Sequence, residues 1–272
     1  MCKRRLGVSF IRAAVYKGKN MKMIAVRGRT KAGSAPQLSD QDVWKRAAAK
    51  AAMEEITDGM TVGLGTGSTA AQFIDLLGAR VAEGFKVQGV PTSEASDTQA
   101  RALGIQLPEM HDVETIHVTV DGTDEFDGSL RLIKGGGGAL LREKIIAGAS
   151  QRMIVIADDS KLVEHLGAFA LPVEVVPFGL PLTAGAVANA CRYVLGRDIE
   201  MDLRLDKDER AFVTDGGHFI LDLKCEKIEQ PEALAIALAG IPGVVDHGLF
   251  LGMASTVITA GPDGVKHHGG VN

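Results

Sequence analysis

From residue 42 onward, short β-branched runs alternate with stretches whose apolar residues recur at helical spacing. Ser39 and Asp40 cap an Ala-rich segment over 42–57, which carries Lys45, Arg46 and Lys50 and predicts a helix. Asp58-Gly59 turns the chain into a strand over 60–64, and a helix over 69–83 follows with Phe73, Ile74, Leu76 and Leu77 on one face. A strand over 86–91, a helix ending at Leu103 and an alternating strand over 115–120 continue the pattern. Next come a short strand at 130–133, a helix over 139–149 and an apolar strand over 153–157. This rhythm predicts an α/β fold, a Rossmann-like parallel sheet flanked by helices.

The pattern changes near residue 168. A strand at 173–176, a helix over 182–195 and a strand over 199–205 precede a hairpin of 211–214 and 218–223 around Asp215-Gly216-Gly217. A helix over 231–239 and a strand over 244–250 complete a β-α-β-β-α-β order with a broken middle strand, which suits a small split-βαβ, ferredoxin-like α+β unit. A last strand over 255–259 is expected to rejoin the first sheet. The expected organisation is a catalytic domain over 39–168 plus 251–272 and a small α+β domain over 169–250, after a leader over 1–38.

Bulk composition narrows the classes. At 272 residues the chain is comfortable for two domains, and 4% aromatic content argues against base-stacking platforms for nucleic acid. Ten of the 30 Lys/Arg and none of the 34 Asp/Glu fall in residues 1–39, so the rest holds 20 basic against 34 acidic residues, a formal −14. An acidic body argues against nucleic acid as the main partner. The basic leader has the charge of a transit peptide or a nucleic-acid arm, but its Gly/Lys/Ser/Pro content and lack of amphipathic period favour a disordered extension. Cys2, Cys191 and Cys225 have neither disulfide nor zinc spacing. No apolar run is long enough to span a bilayer. The cytoplasm is the expected compartment.

The chemistry concentrates in two segments. Asp121-Gly122-Thr123-Asp124-Glu125 follows the strand 115–120, and strand tips in open parallel sheets face the ligand crevice. Acids there can form a solvated turn, a Mg²⁺ site or a proton-transfer network. Lys134, close by, argues against a metal. Gly135-Gly136-Gly137-Gly138 lead into a helix that carries Glu143 one turn in, where burial can raise a carboxyl pKa towards a useful base.

A second glycine loop, 63–69, lies between strand and helix, and Thr66, Gly67, Ser68 and Thr69 offer amides and hydroxyls to an anion. Alone it is as consistent with a tight structural turn. Ser68 replaces the third glycine of a dinucleotide fingerprint and Thr92-Ser93 stand where its acid belongs, which disfavours a nicotinamide enzyme. Lys161 follows another strand tip. Lys45 has no support from spacing.

Together these segments resemble ribose-5-phosphate isomerase of the A type. The resemblance runs from about Asp42 to Lys266 through GTGSTA, DGTDEFD, KGGGGALLREK, Asp159-Ser160-Lys161, LPVEV at 171–175 and GPDGV at 261–265. Thr123 stands where Ala is frequent, Gly138 extends the loop, and the leader falls outside the pattern. The resemblance implies that Glu143 is the catalytic base. Asp121, Asp124 and Lys134 would assist it and, with Lys45, Thr66 to Thr69, Gly122, Thr123, Gly135 to Gly137 and Lys161, bind the sugar phosphate. It implies interconversion of D-ribose 5-phosphate and D-ribulose 5-phosphate through a cis-enediol(ate), without metal or cofactor. It also implies a homodimer or dimer of dimers contacting through the small domain. A phosphosugar-sensing domain without turnover is the alternative, since related folds bind such ligands; a sensor needs no positioned base.

Overall fold

The computed structural model describes residues 39–269. The leader expected over 1–38 lies outside the described residues.

Helix α1 (Asp40–Met53) begins at Ser39, whose hydroxyl accepts the Asp42 amide; Asp40 and Asp42 occupy its first turn and Lys50 its last, each sign at the dipole end that favours it. Strand β1 (Thr61–Leu64) runs through α2 (Ser68–Ala82) to β2 (Gln88–Pro91), then through α3 (Glu94–Ala102) to β3 (Val118–Asp121). Two short strands, β4 (Glu125–Phe126) and β5 (Leu132–Ile133), precede α4 (Leu140–Ala149) and β6 (Met153–Asp158). Then come β7 (Leu171–Val175), α5 (Leu180–Leu195), β8 (Glu200–Leu203), β9 (Phe219–Lys224), α6 (Pro231–Ala239) and β10 (Val244–His247). β11 (Leu249–Phe250), β12 (Ala254–Gly261) and β13 (Gly264–His268) complete the elements.

Six strands form the main sheet in the order β13-β12-β6-β3-β1-β2, and only β12 with β13 pairs antiparallel. β3 and β6 are buried at every position, as parallel strands covered on both faces must be. Val62, Leu64, Phe73, Leu77, Val118 and Ile154 form the core beneath α1 and α2. From β1 the chain moves outward to β2, then returns to lay β3 and β6 on the opposite side. That reversal opens a crevice at the carboxyl ends of β1 and β3.

The second sheet is antiparallel, in the order β10-β7-β9-β8, and follows the expected β-α-β-β-α-β sequence of elements. Its core, with Val173, Val187, Leu221 and Leu234, is separate from the first.

Two expectations are corrected, and one strand is added. Residues 211–214 form no strand: β8 pairs directly with β9, and only a single bridge joins Leu205 to Ala211. The connection satisfies itself locally instead, with the Asp206 carboxylate accepting the Asp208 and Arg210 amides and Thr214 turning back on His218. The segment 244–250 is two strands rather than one, since β11 leaves the second sheet to pair with β5 in a three-stranded sheet β11-β5-β4. Gly248 is the crossing point, where a Cβ would lie 2.3 Å from the Lys134 carbonyl oxygen. Finally, β13 adds an antiparallel edge that the apolar pattern does not announce.

Candidate active site

Asp121 ends β3 and is fully buried. Its Oδ1 accepts the amides of Thr66 at 3.1 Å and Gly122 at 2.7 Å, tying the turn after β1 to the tip of β3. The backbone passes so close that a Cβ on Gly65 would sit 2.3 Å from that same oxygen. Packing against Asp121 therefore demands glycine at 65, whatever the loop binds.

Lys134 follows β5 and reaches back across the crevice. Its Nζ lies 3.1 Å from Asp121 Oδ2 and 3.4 Å from Glu143 Oε1, and donates to the Gly122 carbonyl at 2.6 Å. Glu143 stands in the first turn of α4, and its Oε2 is buried without a hydrogen-bond partner. Asp124 accepts the Gly136 amide at 2.7 Å, which holds the glycine loop against the strand tip.

Asp121, Lys134 and Glu143 are exposed by only 0%, 2% and 3%. Burying ions costs several kcal/mol each unless they are paired, so such a cluster costs stability and is a candidate functional site. Burial, with Asp121 and Asp124 nearby, pushes the Glu143 carboxyl up to about 8 although Lys134 pulls it down. Burial raises Asp121 too, against Lys134 and its two amide donors. Burial disfavours the Lys134 ammonium, but the surrounding carboxylates outweigh this and raise its pKa. One cation cannot neutralise so many acids, and the cluster retains a shared proton. Glu143, whose Oε2 meets neither donor nor cation, is the natural holder; Asp121 Oδ1 accepts two amides, and its Oδ2, though without a hydrogen bond, lies 3.1 Å from the Lys134 ammonium.

A cleft of about 160 Å³ opens above this floor. Lys45, Thr66, Gly67, Ser68, Thr69, Gly122, Thr123, Asp124, Lys134, Gly135, Gly136, Gly137, Glu143 and Lys161 all line it, and Asp121 lies beneath, in contact through Lys134. Lys45 donates to the Ser68 hydroxyl at 3.2 Å. Helix α2 starts there without a side-chain cap, so its leading amides are left for an anion. Two hydroxyls are otherwise engaged: Thr66 with Thr92 and Ser93, and Thr123 with the carbonyls of Glu125 and Ile133.

Gln41 and Asp158 also line the cleft and escaped the reading of the sequence. Asp158 ends β6, next to β3, so the strand-tip argument that selects Asp121 reaches it as well. Gln41 carries no comparable signal. A larger hollow of about 600 Å³ lies on the other side of α4, but its Arg101 and Arg142 are already paired with Asp97 and Asp215. The acid with an unpartnered oxygen and the uncapped helix amides are in the smaller cleft. Among the described residues no group of three His, Cys, Asp or Glu is arranged to hold a metal.

A parallel α/β sheet with a buried acid–lysine cluster and an open helix N-terminus at its topological switch thus defines the molecule. The sequence model of the family ribose 5-phosphate isomerase A (phosphoriboisomerase A) matches residues 88–264. Ribose-5-phosphate isomerase A of Rhodopseudomonas palustris strain TIE-1 is 56% identical over 227 residues, covering 84% of this chain and 97% of that protein. The Bradyrhizobium diazoefficiens protein of the same name is 54% identical, covering 84% and 95%. The solved ribose 5-phosphate isomerase of Plasmodium falciparum superposes with a TM-score of 0.80 at 35% identity, covering 85% of this chain and all of that one. A D-ribose-5-phosphate isomerase solved with phospho-erythronic acid gives 0.78 at 37% identity, covering 84% and 99%. The chain belongs to the ribose 5-phosphate isomerase A family.

Proposed function

We infer that this chain is an aldose–ketose isomerase of the non-oxidative pentose phosphate pathway, interconverting D-ribose 5-phosphate and D-ribulose 5-phosphate, with Glu143 as its general base. The observation that carries the assignment of the base is the buried Glu143 carboxylate with one oxygen free, beside Lys134 and Asp121 on the floor of an anion-accepting cleft. In the open-chain aldose the C1 carbonyl acidifies the hydrogen on C2. Glu143 takes that proton, leaving a cis-enediol(ate), and returns it to C1 on the same face. Lys134, with Asp121 and Asp124, stabilises charge developing on O1 and O2 and relays the hydroxyl proton.

The phosphate is remote from the reacting carbons. Bound by the α2 amides, Ser68, Thr69, Lys45 and Lys161, it anchors the sugar so that C1 and C2 meet Glu143. No atom changes net oxidation state beyond the internal exchange between C1 and C2, so the scheme requires neither metal nor redox cofactor. A phosphosugar sensor would need the anion site but would gain nothing from a desolvated carboxylate, which disfavours that reading.

The test is isomerisation of ribose 5-phosphate followed by NMR in D₂O, with Glu143→Gln beside the wild type. Losing a general base costs about 10² to 10⁴ in rate, so kcat should fall by that factor while KM holds. Near-normal turnover in the variant would remove Glu143 from its role.

We further propose the division into a catalytic domain over 39–168 plus 251–272 and a small domain over 169–250. No helix among the described residues is long and apolar enough to cross a membrane, and a sugar-phosphate enzyme of this family fits the cytoplasm. The exposed apolar side chains of the small domain, discussed below, support a homo-oligomer.

A further inference from the structure

Arg204, the residue after β8, faces away from the solvent-exposed turn that follows it. Its Nε and NH2 form a two-pronged pair with Asp222 of β9 at 2.9 and 2.5 Å, and its NH1 donates to the carbonyls of Gly135 at 2.8 Å and Gly136 at 3.2 Å. Both partners are largely buried, at 15% and 22% exposure. Arg204 does not line the cleft, and nothing in the isomerase mechanism above uses it.

The contact has a geometric consequence. In a planar trans peptide the N–H points opposite the C=O. Pulling the Gly135 and Gly136 carbonyls towards Arg204 turns the amides of Gly136 and Gly137 the other way. Gly136 N–H then meets Asp124 at 2.7 Å, and Gly137 forms part of the cleft wall. A run of glycines has little conformational preference of its own, so something outside it must choose these peptide orientations. Phe212, from the same connection, presses on Gly138, where a Cβ would lie 2.5 Å from its ring.

We propose that Arg204, held by Asp222, is a positioning residue for catalysis: it clamps the glycine loop from the second sheet, aims its amides into the site, and keeps the cover over Lys134 and Glu143 closed. Guanidinium is required because two prongs bind Asp222 while a third nitrogen reaches two carbonyls; a lysine ammonium lacks that fork. Asp222 also neutralises the charge, so Arg204 does not compete with Lys134 for the site carboxylates.

This inference rests on the isomerase reading, and the experiment separates the two. Kinetics of wild type, Arg204→Ala, Arg204→Lys and Asp222→Asn are measured across pH, with melting temperature and circular dichroism alongside. Misplacement of catalytic groups by about 1 Å costs on the order of 10² in rate, and that loss is expected in kcat for Arg204→Ala, with KM little changed. The acid limb of the pH–rate profile should move towards the ordinary carboxylate range, because a loosened loop admits water to Glu143. Arg204→Lys should remain impaired, and added methylguanidinium should restore part of the Arg204→Ala activity. If Arg204→Ala does not fold, Asp222→Asn takes its place, with a kcat loss of roughly tenfold expected from the slackened fork. Wild-type kcat and an unmoved acid limb in whichever of the two folds, or full activity in Arg204→Lys, overturns the proposal. A wild-type protein without isomerase activity would instead overturn the reading beneath it.

Discussion

Glu143 holds the proton that its neighbours cannot all surrender. With its pKa raised to about 8 by burial and by Asp121 and Asp124, it is a base only after that proton leaves. In the free enzyme kcat/KM should therefore fall as pH drops through this region, and a profile flat down to pH values near 5 would contradict the assignment. The same shift has a stability consequence of definite sign. Between the ordinary value of 4.5 and about 8, the folded state binds a proton that the unfolded chain has released, so stability declines as pH rises through that window. Glu143→Gln removes this decline. Its melting temperature should exceed that of wild type by several degrees at about pH 9 and match it near pH 4. A variant less stable than wild type at the higher pH would mean that the carboxylate is a net stabiliser after all. Lys134 must remain protonated throughout, since its raised pKa keeps it charged where Glu143 titrates.

At the scale of the elements, the turn after β1 serves two purposes that the sequence cannot separate. Its glycines suggest an anion loop, yet Gly65 is small because Asp121 lies against it. Gly65→Ala should push the carboxylate off the Thr66 and Gly122 amides, destabilise the fold by about 1–3 kcal/mol and lower kcat; a fully active, equally stable variant would refute the packing argument. What was legible follows the range of the interactions involved. Asp121, Asp124, Lys134 and Glu143 lie within 23 positions of one another on a strand tip, a loop and a helix start, so local pattern plus the switch-point rule brings them together. Arg204 meets the glycine loop from almost 70 residues away, and no local periodicity encodes that encounter. The three-stranded sheet β11-β5-β4 was illegible for the same reason: two-residue strands are defined by their partners rather than by their own alternation. The strand expected at 211–214 failed because β-branched residues there meet Asp and Gly turns that satisfy the backbone locally.

At the scale of the molecule, the second unit presents an apolar face that its own core does not use. Leu182 and Tyr193 of α5 are 82% and 90% exposed, Phe178 just before that helix 91%, and Ile236 of the adjoining α6 76%. Positions 182, 189 and 193 fall on one side of α5, with Asn189 between the two apolar ends. Single exposed apolar residues need no explanation, but three large ones on adjoining helices with Phe178 beside them are the basis for the proposed contact surface. A second copy of the chain is the occupant a homo-oligomer would supply, through a self-complementary patch. Leu182→Asp combined with Tyr193→Asp should cost little folding stability, because neither side chain is buried within the chain. Light scattering after size exclusion should find wild type at a multiple of the chain mass and the variant at the mass of one chain. The scheme proposed above needs residues of one chain alone, so the separated variant should keep its turnover per subunit. A wild type that elutes as one chain at micromolar concentration would remove the oligomer. A variant that separates and also loses kcat would show that turnover depends on the pairing of subunits.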